Sequence, residues 1–407
     1  IEQLAAVCAE AGVPLALIPG TDQPDPDLTE ASTVSPEACH RLWQFMVQGG
    51  PENLRSLLAY AGSLIGGTGL WNEPRQLVRA GIYWPGTSVA DLADLRRHWQ
   101  PDRPVAAIVF YRAQYQAANL DPVDALVAAL AERGINALPI YVASLKDAVC
   151  ADTVAALTVQ ARAGIVLNTT AFALSQPGAA VSTPFDHLDC PVLQVVLAGS
   201  DAAQWRASAN GLSARDIAMN VALPEVDGRL LAGAVSFKDD AGWDPATQCR
   251  LVRYKPVPDR VAAVAEQAAR WLRLRGKPPA GRRIAVVMAN YPNRDGRMGN
   301  GVGLDTPAGT WQALRAMRDA GYIVQDLPPG GQALIERLGA GPTNALDRDR
   351  AGGEVYALTE YARFYATLPE AVRTAVTARW GAPEADPFVR GGAFRLAAFR
   401  LGNVVVG

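Results

Sequence analysis

Two short apolar runs on either side of one helix-length stretch constrain this chain most. Val105-Ala106-Ala107-Ile108-Val109-Phe110 is too short for an ordinary helix, rich in β-branched residues and apolar throughout, which predicts a strand buried on both faces. Asp121-Pro122 then opens a helix whose inner face carries Leu126, Val127 and Leu130. Gly134 stops it before a second apolar run, Ala137-Leu138-Pro139-Ile140-Tyr141-Val142. Strand, helix, strand in this order makes a parallel pair, because the helix carries the chain back to the starting edge. Further strands are expected at 163–167 and 191–197, ending in the polar groups Asn168-Thr169-Thr170 and Ser200-Asp201. Ligands of open α/β sheets bind at that carboxyl edge. Arg112, Gln114 and Asn168 are therefore candidate binding residues there.

The plan recurs about 180 positions later. Ile284-Ala285-Val286-Val287-Met288-Ala289 reads as a strand, Thr306-Pro307 starts a helix bearing Trp311, Leu314 and Met317, and Gly321 precedes a third run, Tyr322-Ile323-Val324. The expected fold class is α/β, with two parallel-sheet lobes, Rossmann-like or periplasmic-receptor-like, and additional helical segments. Residues 1–100 are expected to hold the end of an N-terminal α/β unit, with a strand at Val13–Ile18, then helices starting at Ser35-Pro36 and Pro51. Residues 101–235 form one lobe and 281–407 a second with a helical insertion. The segment 236–280 links them through a helix at 257–274. A cleft between lobes is the default ligand site.

Composition narrows the function. Of 407 residues, 49% are hydrophobic and 19% charged, and the net charge is −2, so the chain is a folded protein without the basic field that nucleic acid requires. No apolar run is long enough to span a membrane, and no charged-then-apolar leader opens the chain, which places it in the cytoplasm. Five dispersed cysteines without a Cys-x-x-Cys pair read as reduced thiols. The start at Ile1 and the strand-like end Val404-Val405-Val406-Gly407 suggest a piece of a longer chain.

The chemistry concentrates after the strand at 284–289. Asn290-Tyr291-Pro292-Asn293-Arg294-Asp295-Gly296-Arg297-Met298-Gly299-Asn300-Gly301-Val302-Gly303-Leu304-Asp305 combines four glycines, which let backbone approach a ligand, with amide, acidic and basic side chains. This loop resembles the signature of the large, corrin-binding subunit of cobaltochelatase, a relative of the large subunit of magnesium chelatase. The resemblance extends through Val235-Ser236-Phe237-Lys238, Arg250-Leu251-Val252-Arg253-Tyr254-Lys255-Pro256 and Trp271-Leu272-Arg273-Leu274-Arg275-Gly276-Lys277-Pro278.

The resemblance implies ATP-dependent insertion of Co²⁺ into hydrogenobyrinic acid a,c-diamide in cobalamin biosynthesis. Two ATPase-complex partner subunits would hydrolyse the ATP with its Mg²⁺, which agrees with the lack of a Gly-x-x-x-x-Gly-Lys-Ser/Thr motif here. It also implies a His-Gly-x-Leu-Glu-(aromatic)-x-Pro-Gly-Lys stretch that this chain lacks. A corrin rim of acids and amides needs cationic and amide partners, so Asn290, Tyr291, Asn293, Arg294, Arg297 and Asn300 join the binding candidates. Asp295 and Asp305 are candidate acceptors of the ring N–H protons, with a helix-capping role as the rival reading of Asp305. His187, between Asp186 and Asp189, is a weak metal candidate, a solvated turn explaining it equally well. A porphyrin-binding magnesium chelatase and a non-enzymatic two-lobed binder are the alternatives.

Overall fold

The computed structural model describes residues 2–176, 182–289, 295–343 and 350–407. The chain divides into two compact units, Ile1–Arg273 and Leu274–Gly407.

The first unit is built on a seven-stranded sheet. Its strands are β1 (Ala80–Ile82), β2 (Val105–Tyr111), β3 (Asn136–Val142), β4 (Ala163–Asn168), β5 (Val192–Ala198), β6 (Leu230–Asp244) and β7 (Cys249–Pro256). They lie in the order β1-β3-β2-β4-β5-β6-β7. The five from β3 to β6 run parallel, while β1 and β7 close the two edges antiparallel.

Alternation along β2 explains the layering. Ala106, Ile108 and Phe110 pack on one face with the helix Asp121–Glu132 (Val123, Leu126, Leu130) and the helix Pro258–Arg275 (Val261, Val264, Ala268). Val105, Ala107 and Val109 pack on the other with Cys150 and Val154 of the helix Ala148–Gln160. A sheet covered on both faces needs strands that are apolar at every position, as β2 and β3 are. The sequence expectation for this α/β core is met, including the helix stop at Gly134, whose φ is 72°.

Three expectations are corrected. Val13–Ile18 is irregular and joins no sheet, because Leu15 and Leu17 donate their backbone N–H to the hydroxyls of Thr33 and Ser32 instead of to a strand. Residues 236–273 of the segment expected as a linker are integral to the first unit: β6 and β7 are sheet strands, and the helix after them covers the sheet. Its apolar face is therefore spent on the first unit's core rather than on a connection.

The third correction concerns the second unit, which does not repeat the first. Its strands are β8 (Ile284–Val286), β9 (Asn300–Gly301), β10 (Leu304–Asp305), β11 (Glu354–Ala357), β12 (Val389–Arg390), β13 (Ala393–Leu396), β14 (Phe399–Leu401) and β15 (Val404–Val406). Among the described residues its only parallel pairing joins β8 to β15, and β14 completes that sheet antiparallel. Tyr322-Ile323-Val324 does not add the expected strand: the Val324 N–H bonds the Tyr322 carbonyl two residues back, a tight turn that bends the chain out of ladder geometry. Leu314, Val324, Leu334, Leu401, Val404 and Val406 form the core. The aromatic positions Tyr356, Tyr361, Tyr365 and Phe394 pack on one another, with Tyr361 5.0 Å from Phe394 and 5.6 Å from Tyr365 by ring centroid.

Candidate functional site

Strand order locates the site. The chain leaves β2, adds β3 on one side, then crosses back to add β4 on the other, so the carboxyl ends of β2 and β4 flank a topological switch point. Connections there leave in opposite directions and open a crevice. A cavity of ≈ 420 Å³ occupies that place. Tyr111 ends β2 and Gln114 follows it, Thr169, Ala171 and Phe172 follow β4, Gly199 and Ser200 follow β5, and Lys238 and Tyr254 come from β6 and β7.

One wall is the segment Ala214–Glu225, which contains a π-helical turn at Ala218–Ala222. Such turns are uncommon and gather at functional sites. Asp216 fastens this wall to the sheet. Its carboxylate accepts from Ser213 Oγ at 2.8 Å, Gly199 N at 2.9 Å, Ser200 Oγ at 3.3 Å and Asn220 Nδ2 at 3.4 Å. With both oxygens engaged, Asp216 holds the wall in place rather than acting as a base.

The opposite wall carries an unusual aromatic. Phe172 has φ 65° and is 43% exposed. A bulky residue in the left-handed region is strained and persists only where its surroundings fix it. The Phe172 N–H donates to the Met219 carbonyl at 2.9 Å, tying the two walls together. Beneath the loop lies a buried ion pair, Arg229 Nη2 to Asp227 Oδ2 at 2.8 Å. Asp227 also accepts from the N–H groups of Leu174 and Ser175, and Arg229 donates to the Thr170 carbonyl and to Gln194 Oε1. Burial pulls the Arg229 guanidinium below its ordinary pKa, against the opposing pull of Asp227.

Polar groups at the mouth differ in how far they are committed. The Tyr111 hydroxyl donates to the Ala171 carbonyl and accepts from its N–H, and burial raises its pKa. Tyr254 is likewise raised, by burial first and then by the nearby Asp216 charge. Lys238 Nζ stands 5.5 Å from the Tyr254 ring centroid. Lys238 and Arg215 form no ion pair among the described residues, and Gln114 Oε1 is buried without a hydrogen-bond partner there. The cleft thus offers cationic and amide groups to an anionic or amide-bearing ligand.

The residues predicted from sequence scatter around this geometry. Gln114 lines the cleft. Asn168 is fully buried and spends its amide on the Thr170 carbonyl and Gln194, so it supports the loop instead of touching a ligand. Arg112 donates to the Leu77 carbonyl at 2.8 Å, on the side of the sheet edge toward β1. His187 is exposed on a short 3₁₀ turn, and Asp186 is occupied by the Thr183 N–H and hydroxyl; no group of three or more metal-ligating side chains occurs among the described residues.

The glycine-rich loop belongs to the second unit. Asn290, Tyr291, Asn293 and Arg294 lie outside the described residues. Arg297 and Asn300 are exposed, and β9 and β10 form a small hairpin through Gly303, φ 74°. Asp295 pairs with Arg350 at 3.4 Å. Asp305 Oδ1 accepts from Ala308 N at 3.0 Å and caps the helix Thr306–Asp319, the rival role foreseen for it.

Sequence reasoning missed Asp216, Phe172, Lys238 and Tyr254 as cleft residues. Lys238 and Tyr254 sit inside the resembling stretches, and Ser213-Ala214-Arg215-Asp216 has the Ser-x-x-acid spacing of a helix start, a legible signal. Nothing in sequence marks Phe172.

The first unit is thus a doubly wound α/β sheet with a polar, cation-bearing crevice at its switch point. A family model described as CobN/Magnesium Chelatase matches residues 43–407, and the chain belongs to that family. It is 46% identical over its whole length to the aerobic cobaltochelatase subunit CobN of a Sinorhizobium species and 42% to that of Pseudomonas aeruginosa, covering 33% of each. It thus spans about a third of the length of these curated relatives. The corresponding magnesium-chelatase protein of Rhodobacter capsulatus is 24% identical over 74% of the chain and 27% of that protein. The solved catalytic subunit of cobaltochelatase from Mycobacterium tuberculosis superposes with TM-score 0.77 at 32% identity, over 99% of this chain and 33% of that one.

Proposed function

We propose that this chain forms part of the tetrapyrrole-binding body of a cobalt chelatase. The reaction is insertion of Co²⁺ into hydrogenobyrinic acid a,c-diamide in the cytoplasm, with ATP and its Mg²⁺ handled by two partner subunits. The observation that carries the reading is the contrast in similarity: 46% identity along the whole chain to a cobaltochelatase protein, against 24% over part of it to a magnesium-chelatase protein. The switch-point cleft supports it, since cations and amides are the groups that a corrin rim requires. In this reading Phe172 offers an apolar face to the ring. Arg297 and Asn300, exposed on the second unit's loop, remain proposed ring-binding residues. Asp295 and Asp305 order that loop through Arg350 and the Ala308 N–H, leaving proton removal to other groups.

The test is a titration of the protein with metal-free hydrogenobyrinic acid a,c-diamide, followed by ring absorbance, with protoporphyrin as the control. Saturable binding of the corrin but not the porphyrin is the expected result. Preference for the porphyrin would move the assignment to the magnesium branch, and binding of neither ring would refute a tetrapyrrole site within this chain.

A further inference from the structure

We infer that the crevice between the ends of β2 and β4 grips the rim of the macrocycle, Lys238 pairing with a peripheral carboxylate and Gln114 with a peripheral primary amide. The inference rests on the tetrapyrrole reading above and adds what the cleft recognises.

Size comes first. A cavity of ≈ 420 Å³ lies near the lower end of the range of about 300–1,000 Å³ that houses drug-sized ligands. A corrin with its side chains is larger than that, so the crevice takes an edge and its arms. Charge comes second. Among the described residues the only carboxylate in the lining is Asp216, and its oxygens are taken by Ser213, Gly199, Ser200 and Asn220. Lys238 and Arg215 therefore leave the crevice with uncompensated positive charge, which favours an acid. The Lys238 ammonium lies over the face of the Tyr254 ring, 5.5 Å from its centroid, which steadies it at the mouth.

The third feature is Gln114. Gln114 lines the crevice, and its Oε1, shut away from solvent, meets no donor among the described residues, so turning the side chain toward the crevice would give the amide the partner it lacks. A primary amide is the matching ligand group, because two amides exchange N–H and carbonyl whichever way the Gln114 side chain is turned. The Tyr111 hydroxyl, nearest in sequence, does not compete for that role, since Ala171 engages it as both donor and acceptor. An acid site beside an amide site reads a ring whose rim bears both, and penalises a ring that bears only one kind.

The experiment compares three rings on the wild-type protein and its variants: the a,c-diamide, the same ring with its remaining acids methyl-esterified, and the ring with every arm left as acid. Wild type is expected to bind the a,c-diamide about tenfold tighter than either comparator. Lys238→Met should abolish the discrimination against the ester alone, and Lys238→Arg should restore it. Gln114→Met should abolish the discrimination against the all-acid ring alone. Equal binding of all three rings by wild type would overturn the inference and leave the tetrapyrrole reading standing. Binding of none would overturn both. A uniform loss on all three rings in each variant would show a structural role and likewise overturn the recognition scheme.

Discussion

Replacing Asp227 by alanine should loosen the whole floor of the crevice. The Asp227 and Arg229 side chains are 0% and 2% accessible, so removal of the carboxylate leaves a guanidinium in a dry site without its counter-charge. Breaking a buried pair from one side costs about 3–5 kcal/mol. The N–H groups of Leu174 and Ser175 also lose their acceptor, but both residues are only partly buried and water can replace it, so the charge term dominates. At about 2–4 °C per kcal/mol for a unit of this size, the unfolding midpoint of the first unit should fall by about 6–20 °C. Calorimetry with near-ultraviolet circular dichroism would follow it. The companion variant, Asp227→Leu with Arg229→Met, should recover most of the loss, because a packed apolar pair replaces the ionic one at little cost. A loss below about 1 kcal/mol in the single variant would place the pair in the weak, solvated class and refute the reasoning. A double variant as unstable as the single one would do the same.

Three other outcomes are expected. Phe172→Gly removes the side chain from a left-handed φ that costs about 1–2 kcal/mol, so stability should hold within about 1 kcal/mol of wild type while corrin affinity falls several-fold; unchanged affinity would remove Phe172 from the ring-facing set. Asp305→Ala deletes the cap of the helix Thr306–Asp319 and should cost about 0.5–2 kcal/mol in the second unit with the corrin titration unaltered, whereas lost binding at unchanged stability would return Asp305 to the list of proton acceptors. Burial pushes the Tyr141 hydroxyl from its ordinary 10.0 up to about 12, with Tyr115 adding to it. A raised pKa means that the folded protein holds the proton more tightly, so this contribution is complete below pH 10 and is lost as pH rises through about 12. Spectrophotometric titration should show a tyrosine ionising near that pH, and Tyr141→Phe should remove its contribution.

Legibility varied along the chain for physical reasons. The first sheet could be read because burial on both faces forces continuous apolar strands and leaves glycine and Asp-Pro punctuation between them, as at Gly134 and Asp121-Pro122. The second lobe misled because the same local signals at 284–289, 306 and 321 mark any strand–loop–helix unit, and nothing local says which strand will pair with β8. Its parallel partner is β15, more than a hundred residues away. Candidate residues fared similarly. Gln114, placed just after β2, lines the cleft, while Asn168, placed likewise at the end of β4, turns inward to Gln194.

The chain's sequence carried what depends on near neighbours and on composition: the strand–helix–strand order, the caps at Ser35 and Asp305, and the resembling stretches around Lys238, Tyr254 and the glycine-rich loop. Only the folded arrangement settled which strands adjoin, that the helix Pro258–Arg275 covers the first sheet, and that Gln114, Phe172, Asp216 and Lys238 meet in one crevice. The reason is range. Helix caps and strand periodicity are set by interactions within a few residues, whereas those four side chains span more than a hundred positions and are joined through the crossing order of the sheet.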